Sequence, residues 1–219
     1  GDLDPYRKGI EGFRCLEDNP GAVFVDAATN EILFRWMRGK DNGRCLAGNF
    51  TDNWPGAELW TTDGKLWSAT LSRGADETVA NSAPGVTMNF RIYWDGDLFD
   101  EFFDKSIIAH WNPTGKYFDR IKVNGGNYVW GSLINGSKHN PCVMGDMLGD
   151  WREEIVAYDN NTNHLVINAT SYESSYPVPH LMDDIQYREN VVSQNVGYNQ
   201  PPHLSYDPAV YYGVIKVDK

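Results

Sequence analysis

Gly145-Asp146-Met147-Leu148-Gly149-Asp150, followed by Arg152-Glu153-Glu154-Ile155-Val156, decides how this chain reads, because versions of it recur. Gly1-Asp2-Leu3-Asp4-Pro5 runs on to Gly9-Ile10-Glu11-Gly12-Phe13, and Gly48-Asn49-Phe50-Thr51-Asp52 runs on to Pro55-Gly56-Ala57-Glu58-Leu59-Trp60. A fourth version is Trp94-Asp95-Gly96-Asp97-Leu98-Phe99-Asp100-Glu101-Phe102. The glycines at 1, 48, 96 and 145 stand 47, 48 and 49 residues apart, a spacing that unrelated turns would not keep.

Between the turns the sequence reads as short strands joined by polar reversals. Residues 22–25 and 31–36 flank Asp26-Ala27-Ala28-Thr29-Asn30, and 58–60 and 65–67 flank Thr61-Thr62-Asp63-Gly64. Residues 106–111 and 117–123 flank Asn112-Pro113-Thr114-Gly115, and 154–158 and 164–168 flank Asp159-Asn160-Asn161-Thr162-Asn163. No helix of any length stands out. The expected fold is all-β, with consecutive β-propeller blades forming an arc of four to five. Such an arc leaves strand faces open to further blades, in the same protein or a second chain.

Composition agrees with a turn-rich β protein: 219 residues, 13% aromatic, 21 glycines and 11 prolines. A formal net charge of -11 argues against duplex DNA and anionic membrane surfaces as partners. No run of apolar residues is long enough to span a bilayer, and nothing in these residues resembles a signal peptide. The opening Gly-Asp-Leu-Asp without methionine reads as a processed, cleaved or recombinant piece. Cys15, Cys45 and Cys142 form no CxxC pair. They allow one disulfide with a free thiol, or three buried small hydrophobes, and none is expected to be catalytic.

Hard oxygen donors on a glycine-bearing turn suit calcium. Asp2, Asp4 and Glu11 make one set, and Asn49, Asp52 and Glu58 another. Asp146, Asp150 and Glu154 (or Glu153) make a third, with Asp95, Asp97 and Asp100 a looser fourth. An isolated aspartate of this kind more often bonds its own backbone; recurrence with a trailing glutamate favours the cation. Histidines at 110, 139, 164, 180 and 203 lack zinc-ligand spacing.

Gly145 to Glu154, Asn135-Gly136-Ser137-Lys138 and Gln194-Asn195-Val196-Gly197-Tyr198-Asn199-Gln200-Pro201-Pro202-His203 together resemble the C-terminal half of the rhamnogalacturonan lyases of polysaccharide lyase family 11. Asp41-Asn42-Gly43-Arg44, Tyr93 to Leu98 and Gln186-Tyr187-Arg188 support the resemblance, which runs nearly end to end. It implies that residues 1–219 are the C-terminal part of a single catalytic domain, an eight-bladed propeller carrying calcium. It also implies a secreted enzyme acting on the pectic polysaccharide rhamnogalacturonan I. The rhamnose–galacturonate bond at C4 would break by β-elimination, endolytically or exolytically, leaving a 4,5-unsaturated uronate.

That reaction needs a base for the C5 proton and a cation for the charge growing on the adjacent carboxylate. The resemblance maps Lys138 and Arg44 onto basic residues of the active cleft, and Tyr198 onto its tyrosine. Lys138 is then the expected base, Arg44 the carboxylate clamp and Tyr198 a sugar contact or proton donor. Asn135, Gly136 and Ser137 map onto a loop that touches sugar, and calcium shares the carboxylate role. Taken from the string alone, Lys138 is a solvated turn residue, Arg44 a surface arginine, and Tyr198 packs a proline-bounded terminus. Trp94, Trp130 and Trp151 offer faces on which a sugar can stack but read first as core, and His203 reads as structural.

Met182-Asp183-Asp184-Ile185 departs from the family's histidine-aspartate-proline run before Gln186-Tyr187. The polar stretch between Gly64 and Asn89 reads as a lengthened loop at the cleft edge. The competing reading is a non-catalytic propeller that binds carbohydrate through calcium or serves a structural role.

Overall fold

A computed structural model of the chain describes residues 1–18, 21–36, 41–61, 65–70, 78–81, 89–123, 125–126, 128–196 and 200–217. Four separate antiparallel sheets follow one another along it. The first holds β1 (Glu11–Leu16), β2 (Gly21–Asp26) and β3 (Ile32–Trp36). The second holds β4 (Cys45–Gly48), β5 (Glu58–Thr61), β6 (Lys65–Ser68) and β7 (Thr78–Asn81). β8 (Phe90–Ile92), β9 (Glu101–Asp104), β10 (Ile107–Asn112) and β11 (Tyr117–Arg120) make the third. The fourth is β12 (Val143–Gly145), β13 (Glu154–Asp159) and β14 (His164–Asn168). All four hairpins read from the polar turns are present. Gly64 and most of the expected cleft-edge loop lie outside the described residues.

Successive side chains of a strand point to opposite faces, and here both faces are covered. Phe102 packs with Phe50, Trp60, Leu66 and Trp111 between the second and third sheets. Its neighbour Phe103 packs with Ile92, Ile108, Met144 and Ile155 between the third and fourth. Leu59 and Trp60 divide in the same way between the first and third sheets. The Phe50 and Phe102 rings stack with centroids 3.9 Å apart. These apolar faces stack the sheets in chain order.

Each sheet is tied to its acidic turn by one buried glutamate at the start of a strand. Glu11 accepts from the backbone of Leu3 and Asp4 (3.0 and 3.2 Å), and Glu58 from Phe50 and Thr51 (2.7 and 3.2 Å). Glu101 accepts from Trp94 and Asp95 (2.5 and 3.4 Å), and Glu154 from Met147 and Leu148 (2.8 and 3.0 Å). Consecutive units are then stitched by single backbone bonds: Ala57 N–H to Leu3 C=O, Asp100 to Asn49 and Glu153 to Tyr93. Gly56 lies at the first of these seams with φ +82°, and a β-carbon there would stand 2.4 Å from Pro5 Cδ and 2.6 Å from the Leu3 carbonyl. Gly56→Ala is therefore expected to cost roughly 2–4 kcal/mol, part from the left-handed backbone and part from the collision. Urea unfolding measures it; an unchanged midpoint would remove this seam from the account.

The expected arc of four to five blades of an eight-bladed propeller is not what the chain forms. Its sheets are separate and small, and among the described residues none closes or curls into a propeller. The 48-residue period dictates a repeated sheet and its turn, but no repeated term in the sequence dictates closure. The repeat also stops. After Asn168 the chain runs extended through Pro177 and Pro179, then forms α1 (Ile185–Ser193) and α2 (Pro208–Tyr211). Asp184 caps α1 by accepting from Tyr187 N–H (2.8 Å), so the expected absence of helix also fails. This segment packs Leu181, Tyr187, Leu204 and Ala209 against Tyr93, Leu98 and Trp151. Among the described residues no helix is long and apolar enough to cross a membrane.

Candidate active-site cleft

Arg44 precedes β4, and Asn135 to Lys138 lie between the third and fourth sheets, yet the fold brings them together. Arg44 Nη2 donates to the Ser137 carbonyl at 3.4 Å, across 93 positions of sequence. Arg44 and Lys138 both line an open cleft of about 910 Å³, with Arg14, Gln186, Gln200 and His203 among its other walls.

The Lys138 loop is shaped by its backbone. Asn135, Gly136 and His139 hold φ of 63°, 51° and 52°, in the left-handed region that Asn and Gly tolerate best. Gly136–Lys138 form a single 3-10 turn. Asn89, fully buried, donates through Nδ2 to both the Lys138 carbonyl and Asp104 (2.8 Å each), fixing the loop to the third sheet. Asn135, Gly136 and Ser137 are exposed at the rim rather than in the cleft wall. Tyr198 lies outside the described residues.

His203, structural by its sequence, lines both this cleft and a smaller cavity. Burial, reinforced by the Gly1 ammonium and Arg91, holds its imidazole well below the usual histidine range, so it is neutral. Trp94 and Trp151 are core residues, whereas Trp130 is exposed.

The acidic turns split into two kinds of place. Asp95, Asp97 and Glu101 bring one carboxylate oxygen each within 4.8 Å of one another, the one such triad among the described residues. Burial and the Asp95 charge raise Asp97 to about 6, while burial pushes Glu101 well up. His110 Nδ1 meets Asp95 Oδ2 at 2.8 Å, and that bond raises the imidazole. Glu101 rather than Asp100 completes this group, because adjacent strand residues face opposite ways. Asp100 turns to Arg91 and to the Asn49 N–H (3.1 and 2.7 Å).

The second place is a cavity of about 20 Å³ lined by Asp2, Asn49, Asp100 and Asp207. Burial raises Asp2 and Asp100 to about 7 and Asp207 to about 6. Asp2 Oδ1 and Asn49 Oδ1 are buried there without a hydrogen bond, while Asn49 Nδ2 donates to Asp207. Carboxylate and amide oxygens of this kind fit a hard divalent cation.

The remaining expected ligands are otherwise engaged. Asp52 accepts from Trp111 Nε1 (2.8 Å), Asp4 from Tyr6 N–H (3.1 Å), and Asp150 pairs with Arg152 (2.5 Å). Asp146 accepts from Gly149 and Leu181 N–H (2.8 Å each), and Glu11, Glu58 and Glu154 hold their turns.

A repeated acidic-turn β scaffold with three basic side chains, Arg14, Arg44 and Lys138, on one open cleft defines a class of protein with a site suited to an anionic ligand. The comparisons make the class specific. The sequence profile described as "Rhamnogalacturonan lyase family 11, C-terminal domain" matches residues 1–212, and the chain belongs to that family. It is 38% identical to rhamnogalacturonan endolyase YesW of Bacillus subtilis (strain 168) over 209 residues, 94% of this chain and 32% of YesW. It is 34% identical over 225 residues to rhamnogalacturonan exolyase YesX of the same organism, 94% of this chain and 35% of YesX. Among solved structures, the Bacillus licheniformis rhamnogalacturonan lyase PL11 superposes with a TM-score of 0.82 at 35% identity, covering 94% of this chain and 34% of that one. The chain thus spans about a third of the length of the relatives it matches.

Proposed function

We propose that this chain is the C-terminal part of the catalytic unit of a secreted rhamnogalacturonan lyase that cleaves rhamnogalacturonan I by β-elimination. The observation that carries the reading is the Arg44–Ser137 contact, which joins Arg44 and the Lys138 loop across one cleft. The Arg44 guanidinium clamps the galacturonate carboxylate and stabilises the charge that grows there as C5 loses its proton. Lys138 takes that proton. The C4–O bond then breaks, C4 and C5 become doubly bonded, and Tyr198 donates to the leaving oxygen. Asn135, Gly136 and Ser137 contact sugar at the rim. A polymeric substrate cannot enter a cell intact, which supports secretion.

Calcium is the proposed cation of the acidic turns, held first by Asp95, Asp97 and Glu101, with Asp2 and Asn49 in the inner cavity. Asp4, Glu11, Asp52, Glu58, Asp146, Asp150 and Glu154 support the same turns. Neither the Asp95 triad nor the Asp2–Asn49 pair lines the cleft, so calcium held by them stabilises the turns, and the substrate carboxylate is left to Arg44. The relatives' names give both endolytic and exolytic action.

Chelation tests the cation. Without it, Asp2, Asp97, Asp100 and Asp207 have folded values near 6 to 7, above their unfolded values of about 4. A raised carboxyl binds its proton more tightly in the folded state, so stability falls as pH rises from about 4 to about 7. At pH 5 protons substitute for the cation; at pH 8 they do not. EDTA is expected to lower the melting temperature by roughly 5–10 °C at pH 8 and by less at pH 5. Equal curves with and without EDTA at pH 8 would count against bound calcium. The reaction itself is tested by incubating full-length protein with rhamnogalacturonan I and following ultraviolet absorbance from the new double bond.

A further inference from the structure

The cleft wall carries two thiols that the proposed elimination does not use. Cys15 lies near the end of β1 and Cys45 opens β4, strands of different sheets that pack side by side. Both are half-buried, and both line the cleft. Cys45 Sγ donates to the carbonyl of Phe13 at 3.8 Å, two residues before Cys15 and so on the same face of β1, and the two thiols are near enough to perturb each other. Cys142 is elsewhere, just before β12, with its N–H on Val156.

We propose that Cys15 and Cys45 form a reversible disulfide that clips β1 to β4 directly beside Arg44. The two cysteines stand on strands in direct contact, one sulfur already lies against the other strand's backbone, and both face one cleft, which is the approach a disulfide needs. The oxidant is a small-molecule disulfide. One thiolate attacks it to give a mixed disulfide and release one thiol. The second thiolate then displaces the other thiol, so two protons and two electrons leave the pair and one S–S bond forms. The Cys45 thiol and burial push the Cys15 thiol up, which slows the first attack. The cross-link closes the segment from Cys15 to Cys45 and holds the Arg44 backbone against the first sheet.

The test is non-reducing peptide mapping by mass spectrometry of full-length protein incubated with oxidised glutathione. The expected product is one peptide pair joined through Cys15 and Cys45, lost on reduction and in Cys45→Ser, and kept in Cys142→Ser. Oxidised protein should melt roughly 5–10 °C above reduced protein, a difference absent from Cys45→Ser and Cys15→Ala. Full alkylation of both thiols after oxidation, pairing of either with Cys142, or glutathione adducts without the cross-link would overturn the proposal.

Discussion

Arg91→Met is expected to lower the unfolding free energy by about 3–5 kcal/mol, because it strands two buried carboxylates. Arg91 is 1% exposed, and its Nη1 donates to Asp100 (3.1 Å) and Glu153 (2.9 Å). Its Nε donates to the Pro202 carbonyl (2.7 Å), which ties the C-terminal segment to the third sheet. Glu153 also accepts from Tyr93 N–H (2.8 Å) and from the buried Tyr187 hydroxyl. One guanidinium therefore joins the second, third and fourth sheets and α1. Burial already raises Asp100 to about 7 with Arg91 opposing it. Without the arginine the carboxyls protonate more readily, so the loss should be larger at pH 8 than at pH 5. Urea titration at both pH values measures this. Adding Asp100→Asn and Glu153→Gln to Arg91→Met should recover part of the loss, and a loss below about 1 kcal/mol at pH 8 would remove Arg91 from the centre of the fold.

Lys138→Ala is expected to reduce kcat/KM on rhamnogalacturonan I by about 10²–10⁴-fold in full-length protein, the usual contribution of a positioned base. The melting temperature should hardly move. Asn89 binds the Lys138 backbone carbonyl, which the substitution keeps. Steady-state kinetics and a thermal scan on the same preparation separate the two effects. Retained activity would reassign the base, with His203 next in line as the neutral imidazole on the cleft wall.

The repeat was legible because each unit needs a glycine-bearing turn and a carboxylate to hold it, and both leave marks in sequence. The hairpins were legible from their polar reversals. Which carboxylate holds the turn was harder to read: Asp100 and Glu101 are adjacent, and only the strand pleat decides that Glu101 joins Asp95 and Asp97. α1 escaped notice because Tyr187 is its one buried residue, so it has no apolar stripe; its signal was the Asp184 cap. The propeller arc was read from the period, the short strands and the family resemblance, and none of these fixes how sheets meet. Arg44 and Lys138 were found through family resemblance, and their meeting in one cleft is a matter of tertiary packing. Cys15 and Cys45 carry no spacing signal, since their contact depends on two sheets packing.

The most direct test of the central claim is the mass of the products from a defined rhamnogalacturonan oligosaccharide cut by the full-length protein. β-elimination predicts two fragments whose masses sum to that of the substrate, one bearing the unsaturated uronate. Fragments heavier in total by one water, or an uncut substrate, would contradict it.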